Sequence, residues 1–321
     1  MRKSLFWLMD RYPELGESQV VLWQIVKRQA RLADELGYAS LWLAEHHFQT
    51  LGSAPNPAVL LSAIAAQTSQ IRLGPAVAVL PYREPELIAE DYALLDMISE
   101  GRLNMGVGSG SQPFESEKMG ADFDERRRTF DSRLSAIRTY WGDAEKAGGQ
   151  KGCLNVSPVQ AGGPPVYVAG TSAESAYNIG KQGYGFLTLA TPMTPSIDEV
   201  GERITMHRKG LSDGGHNADD REAIVVVFAH VGESAAAVKS VVVPALDRFA
   251  RSMTGTALSD PEAVYQHAIS SSLGLFGTRE DVSAQLNNYR RIGATHLAFM
   301  SRFGGMDAEM SERSLIDLAT V

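Results

Sequence analysis

Short apolar runs alternate with longer amphipathic segments along the whole chain of 321 residues. Apolar runs bounded by polar residues and glycines are typical of buried strands. Eight of them are predicted strands: KSLFWLM (3–9), SLWLAE (40–45), IRLGPAVAVL (71–80), LNMGVGSG (103–110), PVYVAG (165–170), GFLTLA (185–190), AIVVVFAHV (223–231) and HLAFMS (296–301). Several segments between them, including residues 19–36, 57–68 and 85–99, carry apolar residues at helical spacing. The pattern therefore predicts eight consecutive strand–helix units.

The predicted strands are apolar on both faces, which requires helices on both sides of the sheet. Eight strands that alternate with helices favour closure into a (β/α)8 TIM barrel, an α/β fold. A doubly wound open sheet uses the same local patterns with fewer strands and is the alternative. The length suits one large domain or two ordinary ones, and the barrel interpretation assigns residues 1–321 to one domain.

An insertion at residues 232–277 separates the seventh predicted strand from the eighth. It combines a helical pattern at residues 235–253 with a less regular stretch, TGTALSDPEAVYQHAISSSLG (254–274). Insertions in a barrel usually extend a loop on one face. This segment is therefore a candidate lid.

Composition and charge exclude several classes of protein. The net charge of −8 is spread along the chain without a basic stripe, so nucleic acid is not an expected partner. The N-terminal apolar run ends at Asp10 and Arg11, well short of a signal or membrane-spanning segment. A single cysteine, Cys153, provides neither an internal disulfide nor a thiolate metal cluster. We expect a cytoplasmic protein without a membrane partner.

Polar or glycine-rich residues end three of the predicted strands. The second strand ends with Glu45, His46 and His47, the fourth with residues 108–110, and the fifth with residues 170–172. Active sites of (β/α)8 barrels lie at the carboxyl ends of the strands, so these residues are expected at one mouth. A hydrogen-bonded, structural role for the histidine pair is also open. Neighbours along a strand point to opposite faces, and the chain has no HxH or HExxH pattern, so no metal site is predicted.

Long segments of the chain resemble the bacterial-luciferase-like family of flavin-dependent monooxygenases. The similarity is carried by residues 32–48 (LADELGYASLWLAEHHF), 56–110, 164–185 (PPVYVAGTSAESAYNIGKQGYG) and 295–306 (THLAFMSRFGGM). The resemblance implies a barrel with an insertion after the seventh strand and reduced FMN bound at the mouth as a co-substrate. It also implies dioxygen, a small organic substrate and a separate flavin reductase as partners. A GxGxxG motif after a strand, which would hold a nicotinamide for internal reduction, is missing from the sequence.

The resemblance assigns roles to residues in the second and third strands. His46 takes the position of the histidine beside the reactive edge of the flavin, and an imidazole exchanges protons near neutral pH. Glu45 and His47 are supporting positions, for which catalytic and structural roles are both open. The third strand resembles the strand that carries the family's non-prolyl cis peptide, which here joins Ala76 to Val77.

The phosphate group of the flavin is expected after the fifth strand. GTSAES provides backbone amides and hydroxyl groups at a helix start, which suits an anion, although the same motif is also an ordinary helix cap. The resemblance favours a phosphate site with four candidate ligands: Gly170, Thr171, Ser172 and Ser175.

The chain departs from the luciferases at the end of the fourth strand. Where they have a cysteine near the flavin and an arginine that meets the phosphate, this chain has Gly108 and Ser109. Arg127, in DERRRTF, is the candidate replacement cation. The missing cysteine argues against the luciferases' own substrate and light emission. Arg302, just beyond the eighth strand, is either a ligand of a substrate anion or of the phosphate, or simply an exposed, solvated side chain.

Further expectations concern assembly, motion and alternative activities. Residues 57–68 and 85–99 carry apolar residues on more than one face, and in this family these helices form a dimer, so a homodimer is expected. Residues 253–276 lack a sustained apolar period and are expected to be mobile until ligands bind. A deazaflavin-dependent hydride-transfer oxidoreductase is the alternative enzyme, and a non-catalytic flavin-binding protein is the alternative of a different class.

Overall fold

The computed structural model describes residues 1–147, 151 and 153–321. In this part of the chain the strands are β1 (Arg2–Trp7), β2 (Ser40–Leu43), β3 (Arg72–Pro75), β4 (Ala78–Val79), β5 (Met105–Gly108), β6 (Val166–Ala169), β7 (Gly185–Ala190), β8 (Ala223–Val231), β9 (Gly274–Gly277) and β10 (His296–Met300). The α-helices are α1 (Gln19–Glu35), α2 (Pro57–Ala65), α3 (Pro85–Ile98), α4 (Pro113–Lys118), α5 (Arg126–Ala147), α6 (Ala173–Lys181), α7 (Ile197–Asp213), α8 (Ala235–Thr254), α9 (Pro261–Ser270), α10 (Arg279–Arg291) and α11 (Ala308–Thr320).

The strands form a parallel barrel in the order β3-β2-β1-β10-β8-β7-β6-β5-β4. The third predicted strand is split into β3 and β4, which flank Ala76 and Val77, and the peptide bond between these two residues is cis, as predicted. A bridge between Leu73 and Leu103 brings the two edges of the sheet together. The fold is therefore TIM-barrel-like, which confirms the predicted fold class over the doubly wound alternative.

Caps that are visible in the sequence explain where several helices begin. The side chain of Ser18 accepts a hydrogen bond from the Val21 amide at the start of α1. Asn56 caps α2, and Pro57 and Pro85 occupy the first turns of α2 and α3, where proline is favoured. The three helices predicted at these positions are present, and α1, α2 and α3 end within three residues of the predicted bounds. In the described part of the chain, no helix is long and apolar enough to cross a membrane.

The insertion after β8 is more regular than its sequence suggests. The predicted helix over residues 235–253 is α8, but the stretch predicted to be less regular contains α9 and β9. β9 is buried along its length and pairs in parallel with β8 from Phe228 to Val231. The stretch is therefore not irregular throughout, and the mobility expected for residues 253–276 stays a prediction. GLFG is too short, and too rich in glycine, to give a strand pattern. A lid movement of the insertion stays a prediction.

Side chains alternate between the barrel interior and the layer of helices around it. Phe6, Trp42, Leu187, Val226 and Ala298 belong to one buried cluster, inside the barrel. Neighbouring strand residues such as Leu5, Leu41 and Val225 belong to the other cluster, which includes the helices. This alternation follows from the pleat of each strand. It explains why the strands are apolar on both faces.

The floor of the barrel, at the amino ends of the strands, is polar. Glu222 accepts hydrogen bonds from Arg2 (2.6 Å) and from the Tyr167 hydroxyl (3.2 Å). His296 lies 3.4 Å from the Glu222 carboxylate, a long contact, and its other ring nitrogen is 2.6 Å from the Ser4 hydroxyl. Burial works against ionisation of Glu222, but His296 and Arg2 outweigh it and lower the pKa of Glu222 to about 2.

Replacement of Glu222 by glutamine should destabilise the barrel in a pH-dependent way. Because the folded pKa lies below the ordinary value of 4.5, the stabilisation is present above about pH 4.5 and is lost toward pH 2. The shift corresponds to about 3 kcal/mol of unfolding free energy at pH 7. Urea unfolding at pH 7 and pH 3 should show the gap between wild type and Glu222→Gln narrowing at the lower pH. Glu309→Gln, at a carboxylate that is 80% exposed, is the control. A gap that is equal at both pH values would contradict this role.

Candidate active site

His46 lies immediately after β2, at the carboxyl end of the barrel, as predicted. The chain leaves the strand after Leu43 and reverses at Phe48, whose φ of 59° is unusual for a bulky residue. The His46 side chain is 17% exposed. Its Nδ1 atom lies 3.0 Å from a carboxylate oxygen of Glu115. The imidazole is therefore held at the mouth by a hydrogen bond between its Nδ1 atom and Glu115.

Glu45 and His47 bond to each other and to the wall of the barrel. Their side chains are 3.0 Å apart, and Glu45 also accepts a hydrogen bond from the Val79 amide of β4 at 3.2 Å. Burial raises the pKa of Glu45, and the bonds from His47 and Val79 only partly oppose this effect. The pair connects the end of β2 to the backbone that follows the cis bond. A structural role accounts for these contacts, and a catalytic role for Glu45 and His47 stays a prediction.

Glu115 is a site residue that the sequence pattern did not identify. It lies on the short helix α4, 69 residues beyond His46 in sequence, and is 2% exposed. One of its oxygens accepts from the His47 amide at 3.1 Å and from the Gln49 side chain at 2.5 Å, and the same oxygen lies 3.0 Å from Nδ1 of His46. GSGSQPFESEK contains two glutamates, and nothing in their spacing distinguishes Glu115. Its burial becomes apparent only once α4 packs against the loop after β2.

Small side chains line the half of the mouth that His46 occupies. Ala44 and Ala76 directly follow β2 and β3 and pack within the interior cluster, and Gly108 is the last residue of β5. A Cβ atom on Gly108 would lie 2.6 Å from Cγ2 of Val77, so β5 approaches this bond closely only because it has glycine there. We call these three residues, which bring only small side chains to this part of the mouth, the shelf.

The predicted phosphate ligands lie after β6, two strands along the barrel from Ala76 and Val77. Ser172 caps α6 and forms a reciprocal capping box with Ser175. Thr171 and Ser172 are exposed, and the backbone amide of Gly170 donates to Leu187. The hydroxyl groups of the two serines are thus engaged in the cap. Phosphate binding at GTSAES stays a prediction.

Arg127 lies in the first turn of α5, in the connection that follows β5. Of the three consecutive arginines there, Arg126 donates to the Phe123 carbonyl and Arg128 pairs with Glu125. Arg127 is exposed and has no hydrogen-bonded partner within the described residues. Ser109, at the end of β5, is partly exposed. Arg127 is thus available as a cation on this side of the barrel.

Arg302 is buried in the structure. The sequence left two roles open for it, an exposed and solvated side chain or a ligand of an anion. Only 4% of the residue is accessible, and its guanidinium group pairs with Glu17, which is also largely buried. Asp10 contributes a second buried carboxylate nearby. Burial raises the pKa of Asp10 to about 6, although Arg302 and the Gly304 amide oppose the shift. A solvated Arg302 is therefore wrong. Its Nε and Nη1 atoms are buried and have no hydrogen-bonded partner among the described residues, and a role as an anion ligand stays a prediction.

Sequence comparison identifies relatives over most of the chain. The profile of the luciferase-like monooxygenase family matches residues 1–296. The oxygenase component of the flavin-dependent trigonelline monooxygenase of Acinetobacter baylyi is 29% identical, over 73% of this chain and 66% of that protein. The 4-hydroxyprotoasukamycin monooxygenase of Streptomyces nodosus subsp. asukaensis is 30% identical, over 68% and 62%. The chain thus spans less than two thirds of the length of these relatives.

Solved structures match the fold over nearly the full chain. Monooxygenase RslO1 from Streptomyces bottropensis has a TM-score of 0.88 at 23% identity, covering 100% of this chain and 98% of that one. The oxygenating constituent of 3,6-diketocamphane monooxygenase from Pseudomonas putida, a complex with FMN, gives 0.81 at 19% identity, covering 99% and 97%. An F420-dependent secondary alcohol dehydrogenase gives 0.69 at 16%, covering 98% and 97%. At these identities the likeness shows the fold alone. Since the family profile covers residues 1–296 of 321, this chain belongs to the luciferase-like monooxygenase family.

Proposed function

We propose that this chain is the oxygenase of a two-component system that uses reduced FMN, supplied by a separate reductase, and dioxygen to oxidise a small organic substrate. The observation that carries the proposal is an imidazole, His46, held beside a shelf of small residues at the barrel mouth. Membership of a monooxygenase family and the flavin-dependent relative support it. A cytoplasmic location stays an expectation.

Each part of the mouth has a distinct task in this proposal. Reduced FMN, when bound, would supply the electrons that activate dioxygen. Ala44, Ala76, Val77 and Gly108 would support its ring, and Ser109, Arg127 and the start of α6 would meet its phosphate. His46 would exchange a proton at the ring nitrogen that Glu115 leaves free. The insertion after β8 would help exclude water.

A deazaflavin-dependent oxidoreductase is the second candidate, because an F420-dependent dehydrogenase shares the fold. Such an enzyme transfers a hydride between the deazaflavin and its substrate, and no oxygen atom of dioxygen enters the product. The serine at position 109, in place of an arginine, leaves the strand end without a fixed charge for the phosphate. Cofactor choice is therefore the first property to measure.

The function can be tested in two steps. Anaerobic titration should show that reduced FMN binds more tightly than reduced F420. The protein, a flavin reductase, NADH and ¹⁸O₂ should then convert at least one member of a panel of ketones, thioethers and aldehydes. One labelled oxygen atom should enter the product. Preferential binding of F420, with oxidation but no label, would replace the proposal with the hydride-transfer alternative. If the protein binds reduced FMN and the FMN is oxidised, but no substrate of the panel is converted, the result would favour the non-catalytic flavin-binding protein.

We also propose a homodimer formed through α2 and α3, which pack against each other. Their outer face carries exposed apolar side chains: Val59, Leu87, Leu94, Met97 and Ile98. An apolar patch of this kind on two adjacent helices suits an isologous contact around a two-fold axis.

The dimer prediction has a matched control on another helix. Ile98 and Ile316 are 44% and 43% exposed, on α3 and α11 respectively. Ile98→Asp would bury one carboxylate of each subunit in the contact, so it should halve the mass measured by light scattering at micromolar concentration. Ile316→Asp should leave the mass unchanged. A monomeric wild type, or a dimer that survives Ile98→Asp, would contradict this interface.

A further inference from the structure

Three nitrogen atoms converge on one oxygen of Glu115, and two of them belong to amide groups that donate to it. They are Nδ1 of His46 at 3.0 Å, the backbone amide of His47 at 3.1 Å and the side-chain amide of Gln49 at 2.5 Å. Glu115 is 2% exposed, so water contributes little to the solvation of its carboxylate. The protein replaces that water with fixed donors from the loop after β2. Such an arrangement suits an ionised carboxylate.

The charge on Glu115 determines which nitrogen of His46 carries hydrogen. Burial opposes ionisation, but the bonds from His46, the His47 amide and Gln49 outweigh it and hold the pKa of Glu115 below its ordinary value. An ionised carboxylate can only accept hydrogen bonds, so Nδ1 must be the donor. A neutral imidazole has one N–H group, and Nε2 then carries the lone pair. Gln49 lies 3.4 Å from Nδ1, but two donors cannot bond to each other, so this is only a contact.

Packing restricts rotation of the His46 ring. A Cβ atom on Gly52 would lie 2.6 Å from Cβ of His46 and 2.9 Å from its Cδ2. The backbone at Gly52 therefore touches the side of the ring remote from Glu115. Nε2 has no hydrogen-bonded partner among the residues that the structure describes, and it is not among the fully buried atoms. The ring is held so that Nε2 remains accessible.

We propose that Glu115 is a positioning residue that holds neutral His46 as its Nδ1–H tautomer and makes Nε2 the atom that exchanges a proton at the mouth. The use of that proton rests on the proposed oxygenase function. The tautomer itself is a property of the flavin-free chain. It can therefore be tested without substrate, reductase or flavin.

The tautomer can be measured by long-range ¹H–¹⁵N correlation on flavin-free protein labelled with ¹⁵N-histidine. At about pH 9, where histidine rings are ordinarily neutral, His46 should have a protonated Nδ1 and an unprotonated Nε2. The resonance is assigned by its loss in His46→Ala. In Glu115→Gln the amide can donate as well as accept, so the Nε2–H form should increase at least several-fold. Glu115→Asp should retain more of the wild-type tautomer. Glu117→Gln, an exposed position on the same helix, should leave it unchanged.

The outcomes separate this inference from the proposed function. An Nε2–H tautomer in the wild-type protein would overturn the inference directly, even if no Glu115 variant folds. An unchanged tautomer in folded Glu115→Gln would overturn it as well. If the tautomer changes as expected but wild type incorporates no ¹⁸O, the inference stands and the proposed function fails. In an active enzyme, Glu115→Gln should lower kcat more than it weakens binding of reduced FMN.

Discussion

His46→Ala should reduce oxygenated product by roughly two orders of magnitude, the usual scale of general acid–base assistance by a positioned side chain. The barrel should remain folded, because His46 lies after β2 and its side chain is not part of either buried cluster. Binding of reduced FMN should change little, since the shelf of Ala44, Ala76 and Gly108 remains. The loss should therefore appear in kcat rather than in the dissociation constant of the flavin.

Two measurements make this prediction specific. Anaerobic titration gives the affinity for reduced FMN, and the ratio of labelled product to hydrogen peroxide gives the coupling of the reaction. His216→Ala is the control, because His216 lies after α7, outside the mouth, and contacts the carbonyl of Lys181. Turnover and coupling equal to wild type in His46→Ala would remove His46 from the mechanism. An equal loss in His216→Ala would mean that the assay reports stability.

The position of His46 could be predicted from sequence, because barrel strands and their ends leave a strong local pattern. Apolar runs on both faces identify the strands, and the chemistry of this fold lies where strands end. The orientation of the ring could not be predicted. It depends on Glu115, 69 residues away, and on the close approach of Gly52, neither of which has a distinctive spacing. The strand pattern thus places His46 at the mouth, the family resemblance proposes it as the reacting group, and packing determines which of its nitrogens is accessible.

The sequence patterns also failed to predict β9 and the burial of Arg302, again because both depend on contacts between distant parts of the chain. β9 is only four residues long, and it is stabilised by pairing with β8 rather than by its own composition. Arg302 follows a strand and precedes two glycines, a context that predicts exposure. Its partner Glu17 is 285 residues away, at the opposite end of the chain. Long-range pairs of this kind appear only when β1 and β10 are neighbours in the closed barrel.

Arg302→Met should lower the free energy of unfolding by about 3–5 kcal/mol, the range measured when one partner of a buried ion pair is removed. Methionine keeps most of the length and the apolar contacts of the side chain. It leaves the Glu17 and Asp10 carboxylates without their buried cation, however. The Arg302 guanidinium also lies 5.7 Å from the ring of Trp7, a cation–π contact that would be lost.

The loss in Arg302→Met should increase with pH. The folded pKa of Asp10 is already raised from 3.8 to about 6 by burial, so folding favours its protonated form. The stability that protonated Asp10 preserves is therefore lost as the pH rises from 3.8 through about 6. Removal of Arg302 takes away an interaction that lowers the pKa of Asp10, so in the variant the loss of stability continues to higher pH. The deficit should therefore be larger at pH 8 than at pH 5.

Urea unfolding at the two pH values tests this structural role against the role of an anion ligand. Arg313→Met, at an arginine that is 64% exposed, should change the unfolding free energy by less than about 0.5 kcal/mol. The double variant Arg302→Met with Glu17→Gln should recover part of the loss, because one unpaired charge is then removed. A ligand of the substrate would behave differently: Arg302→Met would raise KM and leave the unfolding curve unchanged at both pH values. That result would mean that Arg302 belongs to the substrate site and that its pair with Glu17 contributes little to stability.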